Sequence, residues 1–286
     1  MTTRIEAALS TVLRRAEDTA PPRLASAIRH AVFPGGARVR PHLCLSVAGA
    51  YGQEPSDLAT AAACAIEMLH CASLVHDDLP CFDDADLRRG RPSVHRAFGE
   101  PLAVLAGDAL IILAFETLAR ECGARPEQVV SIIAAVARAV GTPFGLVAGQ
   151  AWESEPSVPL EKYHRAKTSA LFVAATMSGA IAAGRDPLPW RAVGERLGDA
   201  YQIADDLLDS LSMADDGGKP VRRDVALGRP NAVAKLGVSG ALGLLRDLVS
   251  QAVASVPDCP GAEALRSLVL RMADRLVPAG LKQSAA

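Results

Sequence analysis

Two acidic runs hold the residues of this chain best suited to chemistry. His76-Asp77-Asp78-Leu79-Pro80-Cys81-Phe82-Asp83-Asp84 and Asp205-Asp206-Leu207-Leu208-Asp209 lie far apart, each in strongly apolar flanks. Carboxylates this crowded repel one another and lose hydration when packed, so apolar sequence carries them only where something cationic compensates. A hard divalent ion suits them. Mg²⁺ takes one or two protein carboxylates, keeps waters and completes its shell with substrate phosphate oxygens. Asp205 and Asp209 stand at i and i+4 and share a helix face. Asp77 and Asp84 would share a face of a continuing helix, but Pro80 distorts that turn, and Asp77, Asp78 and Asp83 are the candidate ligands of this run. Either run alone could be a solvated helix end; the two together point to a multi-metal clamp on a phosphorylated substrate.

Cations follow the first run directly, in Leu87-Arg88-Arg89-Gly90-Arg91-Pro92-Ser93. Guanidinium forks match phosphate bidentately, which suits Arg88 and Arg89 to phosphate, whereas Arg91 reads as a salt-bridge partner of the neighbouring aspartates. Further cations stand where glycine or a helix start lets an anion approach: Pro34-Gly35-Gly36-Ala37-Arg38-Val39-Arg40-Pro41, Lys167-Thr168 and Gly217-Gly218-Lys219-Pro220. Each is weak alone. Two diphosphates would need donors in this number.

Helices must position these groups. Of 286 residues, 50% are hydrophobic and only 4% aromatic, with Ala and Leu throughout, a composition for closely packed helices rather than sheet. Apolar spacing with Pro and Gly punctuation predicts helices over 3–18, 23–32, 40–52, 56–78, 100–121, 126–140, 143–153, 159–167, 169–184, 188–212, 230–236, 239–254 and 261–276, and no strand. Polar loops run from Phe33 to Pro41, Asp83 to Ser93 and Met213 to Asn231. No composition shift divides residues 1–286, so a single all-α domain is expected. A net charge of −2 with interspersed signs leaves no footprint for nucleic acid or anionic lipid. The start of the chain lacks a signal-peptide pattern, and the uncharged stretch 168–184 is too short to span a bilayer. Six scattered cysteines without a CxxC pair suit reduced thiols in a cytoplasmic protein.

These motifs, in this order, resemble those of the trans-isoprenyl diphosphate synthases, most closely the bacterial geranylgeranyl diphosphate synthases of carotenoid pathways, over essentially the whole chain. Glu67 through His70, Ser73 to Pro80 and Arg88-Arg89-Gly90 resemble the family's first aspartate-rich region; Tyr201-Gln202 through Asp209 resembles the second. The resemblance implies an isoprenoid synthase fold, helices around a deep central cavity, usually as a homodimer. It implies three Mg²⁺ per active site, with Mn²⁺ able to substitute, held by Asp77, Asp83 and Asp205 with Asp78 and Asp209 supporting. Arg88, Lys167 and Lys219 would contact the allylic diphosphate, and Thr168 and Gln202 would line the path of an allylic cation. Gly36, Arg40, His70 and Arg89 would hold isopentenyl diphosphate. The position five before the first aspartate, which limits product length in the family, is Ala72, followed by Ser73; its small side chain implies a twenty-carbon product, with Phe115 a candidate floor deeper in.

Two departures from the family pattern stand out. Ala37 replaces a lysine that would contact isopentenyl diphosphate, a role Arg38 could take over. The usual GKxxGxD reads Gly218-Lys219-Pro220-Val221-Arg222-Arg223-Asp224. Other readings are a shorter-chain farnesyl or geranyl diphosphate synthase, a terpene cyclase, and a non-catalytic partner subunit. The ExxH pairs Glu67/His70 and Glu161/His164 admit a di-iron helical bundle.

Overall fold

The computed structural model describes residues 2–123, 125–211 and 231–276. Thirteen helices occur among them: α1 (Thr2–Glu17), α2 (Pro22–Val32), α3 (Val39–Gly49), α4 (Asp57–Asp77), α5 (Val94–Phe98), α6 (Glu100–Ala119), α7 (Pro126–Val140), α8 (Leu146–Ala151), α9 (Leu160–His164), α10 (Ala170–Ala182), α11 (Arg191–Leu211), α12 (Ala232–Ala254) and α13 (Ala262–Leu276). The expected helices appear within a few residues. Segment 143–153 forms only the short α8 before a 3₁₀ turn at Trp152–Ser154. The break placed at Gly237 is real: that residue has φ 68° inside α12.

The all-α expectation holds, and the narrower expectation of no strand needs one correction. Leu87–Arg88 (β1) pairs antiparallel with Arg91–Pro92 (β2), in the register Leu87 with Pro92 and Arg88 with Arg91. Arg89 and Gly90 between them both have positive φ, the backbone of a two-residue type I′ turn. Two residues per strand are too few for the alternation that marks a strand in sequence.

Three helices are apolar on almost every face, α4, α6 and α10. Such helices belong inside a fold, and α4 and α10 lie there, while α6 keeps Val104, Leu105 and Ile112 exposed. α4 packs extensively on α6 and also on α3 and α10; α10 packs on α3, α7 and α11. Ile66, Met68 and Leu69 of α4 are almost wholly buried, and burial of side chains this size stabilises by roughly 2 kcal/mol each. Small residues allow close approach, as at Gly179, where a Cβ would lie 2.4 Å from the Cys44 carbonyl oxygen. Ser56 starts α4 by accepting the Ala59 N–H, a cap worth about 1 kcal/mol. A second, smaller core joins the end of α11 to α12 through Ile203, Leu207, Ala241 and Leu245.

Candidate functional site

α4 delivers the first acidic run and stops there. The helix ends at Asp77, and the chain folds back over that end: the Asp83 N–H donates to the Asp77 carbonyl at 2.9 Å, Asp84 N–H to Leu79 at 3.0 Å and Ala85 N–H to Asp78 at 3.1 Å. Asp84 has φ 43°, turns outward and pairs with Arg96 at 3.1 Å, as Asp86 does at 2.7 Å. The shared face of Asp77 and Asp84 is therefore lost with the helix, as Pro80 foretold. Asp78 is buried and accepts Arg88 bidentately through Nε and Nη2. Burial raises the Asp78 pKa against the pull of Arg88. For Arg88, burial works downward, but the bond to Asp78 and the charges of Asp78, Asp77 and Asp83 prevail and raise it.

The β1–β2 hairpin sends its three arginines in different directions. Arg88 reaches Asp78, Arg89 lies over Gly36, and Arg91 donates to the Phe33 carbonyl at 2.8 Å and meets His30 Nδ1 at 2.9 Å. Arg91 thus pairs with none of the neighbouring aspartates, contrary to its sequence reading; a two-residue turn points it back at α2.

Lys167 and Thr168 lie where the sequence puts a break between two helices. The chain instead runs on from α9 into α10 through a π-helical turn, Arg165–Ser169, a widening often found at functional sites. It aims two consecutive side chains at the two acidic regions. Lys167 Nζ is 3.7 Å from Asp77 Oδ1, while Thr168 Oγ1 donates to Gln202 Oε1 at 2.5 Å. Gln202 Nε2 donates to Asp206 Oδ1 at 3.0 Å, and Asp206 Oδ2 accepts the Ala232 N–H at 2.7 Å at the start of α12. Asp205 is exposed, Asp206 buried and Asp209 half-buried. Burial raises the Asp77 pKa, with Lys167 opposing, and Asp77 Oδ1 is a buried oxygen without a hydrogen-bond partner.

A second group of cations gathers around His70. Arg40 is buried, with its guanidinium carbon 4.6 Å from the Phe172 ring centroid and 5.6 Å from that of Tyr201. Burial first, then Arg40, Arg89, Arg88 and Arg38, hold the His70 pKa well below its ordinary 6.5. The glycines make room: a Cβ on Gly36 would lie 2.9 Å from Arg89 Nη2, and one on Gly35 would lie 2.1 Å from the Arg38 guanidinium. Arg38 does not replace the missing lysine at Ala37. It is buried in a left-handed backbone conformation and bonds Glu67 at 2.6 Å, Glu6 at 2.8 Å and the Val32 carbonyl at 2.7 Å, tying α1 and α4 to the loop.

Glu153 is a residue that sequence reasoning missed. It accepts from Tyr163 Oη at 2.6 Å and from Lys167, and so holds the lysine beside Asp77. The separate positions of Glu153 and Lys167 in the chain gave no periodic sign of this contact. Lys219 and Asp224 lie outside the described residues. The di-iron reading fails: Glu67 is taken by Arg38 and exposed Glu161 by Arg165 at 2.9 Å. Among the described residues no three His, Cys, Asp or Glu side chains already stand together as a metal shell. Any ion here would need phosphate or water oxygens to complete it, the habit of Mg²⁺. The orphaned Asp77 oxygen and the hard carboxylate donors fit such an ion.

Ala72 is buried on α4, Ser73 Oγ donates to the His70 carbonyl at 2.8 Å, and Phe115 packs half-buried on α6 against the main core. A cavity of about 470 Å³ opens at the other end of α4, lined by residues including Val12, Thr60, Cys64, Leu113 and Thr117. Phe115 is not among its walls. Among the described residues two helical runs, Asp57–Asp77 and Glu100–Gly123, are long and apolar enough to cross a membrane; the first is largely inside the protein, and the second exposes Val104, Leu105 and Ile112.

The family model for polyprenyl synthetase matches residues 21–256. The chain is 53% identical over 277 residues to a geranylgeranyl diphosphate synthase of Cereibacter sphaeroides, covering 96% of each, and 50% identical over 275 residues to one of Rhodobacter capsulatus, covering 96% of this chain and 95% of the other. Among solved structures, a geranyltransferase of Helicobacter pylori complexed with magnesium and isoprenyl diphosphate superposes with TM-score 0.81 at 28% identity, covering 96% of both chains. An FPP/GFPP synthase of Zymomonas mobilis gives TM-score 0.79 at 33% identity, covering 95% of this chain and 98% of the other.

Proposed function

The chain belongs to the polyprenyl synthetase family and is a trans-prenyltransferase, and we propose that it joins isopentenyl diphosphate to farnesyl diphosphate to give the twenty-carbon geranylgeranyl diphosphate. One observation carries the reading. Neighbours Lys167 and Thr168 touch the first and second acidic regions respectively, so the two regions address a common substrate.

Asp77, Asp83 and Asp205 would hold Mg²⁺, three ions in all, with Asp78 and Asp209 in support and Mn²⁺ an alternative. Bound there, the metal supplies positive charge for the diphosphate leaving group. Lys167 adds a cation on the same side, and Arg88, with Nε and Nη2 committed to Asp78, keeps Nη1 for a phosphate oxygen. Lys219 is read as a further contact. As the allylic C–O bond breaks, positive charge grows on the prenyl carbon; the oxygens of Thr168 and Gln202 line its path. Arg40, Arg89 and His70, beside the backbone of Gly36, hold isopentenyl diphosphate so that its C=C attacks that carbon. The new C–C bond forms, and the proton lost in re-forming a double bond passes to the departed diphosphate. Positioning of two substrates and stabilisation of a leaving group do the work, and no protein nucleophile is needed. His70, kept neutral, can donate one hydrogen bond without adding charge.

Small, buried Ala72 leaves the chain path open, with Ser73 beside it and Phe115 the candidate floor. A core that draws on Ile5 through Val269 supports reading residues 1–286 as one unit. The apolar face of α6 is read as the surface of a homodimer, in a cytoplasmic enzyme.

The test is a product assay with Mg²⁺, isopentenyl diphosphate and each of dimethylallyl, geranyl and farnesyl diphosphate. Twenty-carbon product is expected, shifting to fifteen carbons in Ala72→Phe. No product from any starter would put the non-catalytic subunit reading in its place, and fifteen-carbon product from the wild type would refute the chain-length argument alone.

A further inference from the structure

Two arginines two residues apart are buried on opposite terms. Arg38 has carboxylates at both ends of its fork, Glu6 and Glu67. Arg40 is more than nine-tenths buried, yet its Nε lacks a hydrogen-bond partner, and among the described residues no carboxylate pairs with it. A guanidinium taken out of water without compensation is strongly disfavoured. Glu67 and Asp205 attract it only from beyond ion-pair distance, and Arg89 repels it. What lies against the guanidinium itself are two rings, Phe172 at 4.6 Å and Tyr201 at 5.6 Å, themselves 5.3 Å apart and inclined at 45°. A ring face stabilises a cation through its quadrupole while leaving the cation's charge and N–H donors unspent. A carboxylate in the same place would neutralise Arg40 and compete with any incoming phosphate.

We propose that Phe172 and Tyr201 are positioning residues for isopentenyl diphosphate: their ring faces hold the Arg40 guanidinium in place, charged and unneutralised, so that its N–H groups stay available to the diphosphate. The inference rests on the reading that Arg40 binds that substrate. Its two halves come from the helices that serve the allylic side. Phe172 is one turn beyond Thr168 and Tyr201 immediately precedes Gln202, so the same two helices fix the cation of one substrate and the polar contacts of the other.

The test is steady-state kinetics of the Mg²⁺-loaded full-length enzyme, varying isopentenyl and farnesyl diphosphate separately, for Phe172→Leu, Tyr201→Leu, Tyr201→Phe and Arg40→Ala. Loss of a desolvated cation–π contact is expected to raise the KM for isopentenyl diphosphate about 10- to 30-fold in Phe172→Leu. A smaller rise of about 3- to 10-fold is expected in Tyr201→Leu, whose ring is farther from the cation. The KM for farnesyl diphosphate and kcat should stay within about threefold, and Tyr201→Phe, which keeps the ring face, should restore the wild-type KM. Phe172 is a core residue; should Phe172→Leu show no cooperative melting, the half-buried Tyr201 pair carries the test by itself. A Tyr201→Leu enzyme with unchanged KM for isopentenyl diphosphate, while Arg40→Ala raises it, overturns the inference and leaves the reading of Arg40 standing. Equal changes in both KM values and kcat would mark a merely structural role and overturn it too. An Arg40→Ala enzyme with unchanged KM sinks the reading and the inference together.

Discussion

The two acidic regions use the same division of labour and build it by different means. In each, the second aspartate of the pair turns inward: Asp78 and Asp206 are both 2% exposed, whereas Asp205 is exposed and Asp77 half-buried. Consecutive residues on a helix diverge by about 100°, so a DD pair offers one carboxylate to a substrate and one to the fold. The anchors differ. Asp206 sits in an unbroken helix and accepts a backbone N–H and an amide. Asp78 lies just past a helix end and accepts a guanidinium from a hairpin. The second region is held by periodicity, the first by a loop that folds back on itself.

The largest effect should separate outward from inward acids. Asp77→Ala and Asp205→Ala should each lower kcat by about 10³-fold, the scale of losing a preorganised charge at a leaving group, with melting temperature little changed. Asp86→Ala removes only a surface pair with Arg96, and Asp84→Ala removes such a pair together with a 3.7 Å approach to His95; each should cost under about threefold in activity. Comparable losses at Asp84 and Asp77 in the assay would break the assignment of the first region.

Next come the anchors, read in stability. Asp78→Ala leaves Arg88 buried without its counter-ion and should cost about 3 kcal/mol, whereas Asp206→Ala abandons a backbone N–H and an amide and should cost about 2 kcal/mol. Thermal melting should show drops of roughly 5–12 °C, larger for Asp78. A reversed order would mean that the hairpin, not Asp78, holds the first region together.

These differences track what was legible in the sequence. The shared side of Asp205 and Asp209 follows from helical spacing, Tyr201 and Gln202 enter only through the family resemblance, and the break between 236 and 239 follows from glycine punctuation. Resemblance to the family supplied roles, but the directions of Arg88, Arg89 and Arg91 depend on two left-handed residues in a four-residue ladder, and no pattern announces a ladder so short. Arg38 shows the same limit: its charge suggested a phosphate ligand, but burial between Glu6 and Glu67 was a fact of tertiary packing. The π turn was visible only as a break, because a widened helix and an interrupted one leave similar apolar spacing.

Acidification should bring out the first region's setting. Burial and nearby guanidiniums hold His70 below its ordinary 6.5 in the folded chain, while the unfolded chain takes up a proton near 6.5. Stability is therefore complete above that pH and declines as pH falls below it. Melting curves at pH 7.5 and 5.5 should show a loss smaller than that of Asp78→Ala and reduced in His70→Gln. An equal loss in the variant would place the titrating group elsewhere.

The smallest effect comes from a third inward aspartate on the helix of the second region. Asp199 accepts the Ser169 hydroxyl at 2.6 Å, and burial raises its pKa against that bond and against Arg165 and Arg196. A carboxyl whose folded pKa is raised favours folding when protonated, so its charge costs stability at neutral pH, and the cost fades as pH falls toward its ordinary 3.8. Asn keeps an acceptor for Ser169 without the charge. Asp199→Asn should therefore melt no lower than the wild type at pH 7, gaining up to about 1 kcal/mol, with the gain shrinking as the pH approaches 4. Asp206→Asn should behave oppositely. Its two oxygens accept two separate N–H donors, and an amide side chain offers only one acceptor oxygen. If both variants melt higher at pH 7, Asp206 is a buried charge that the fold tolerates rather than a double acceptor that it requires, and the second region loses its anchor.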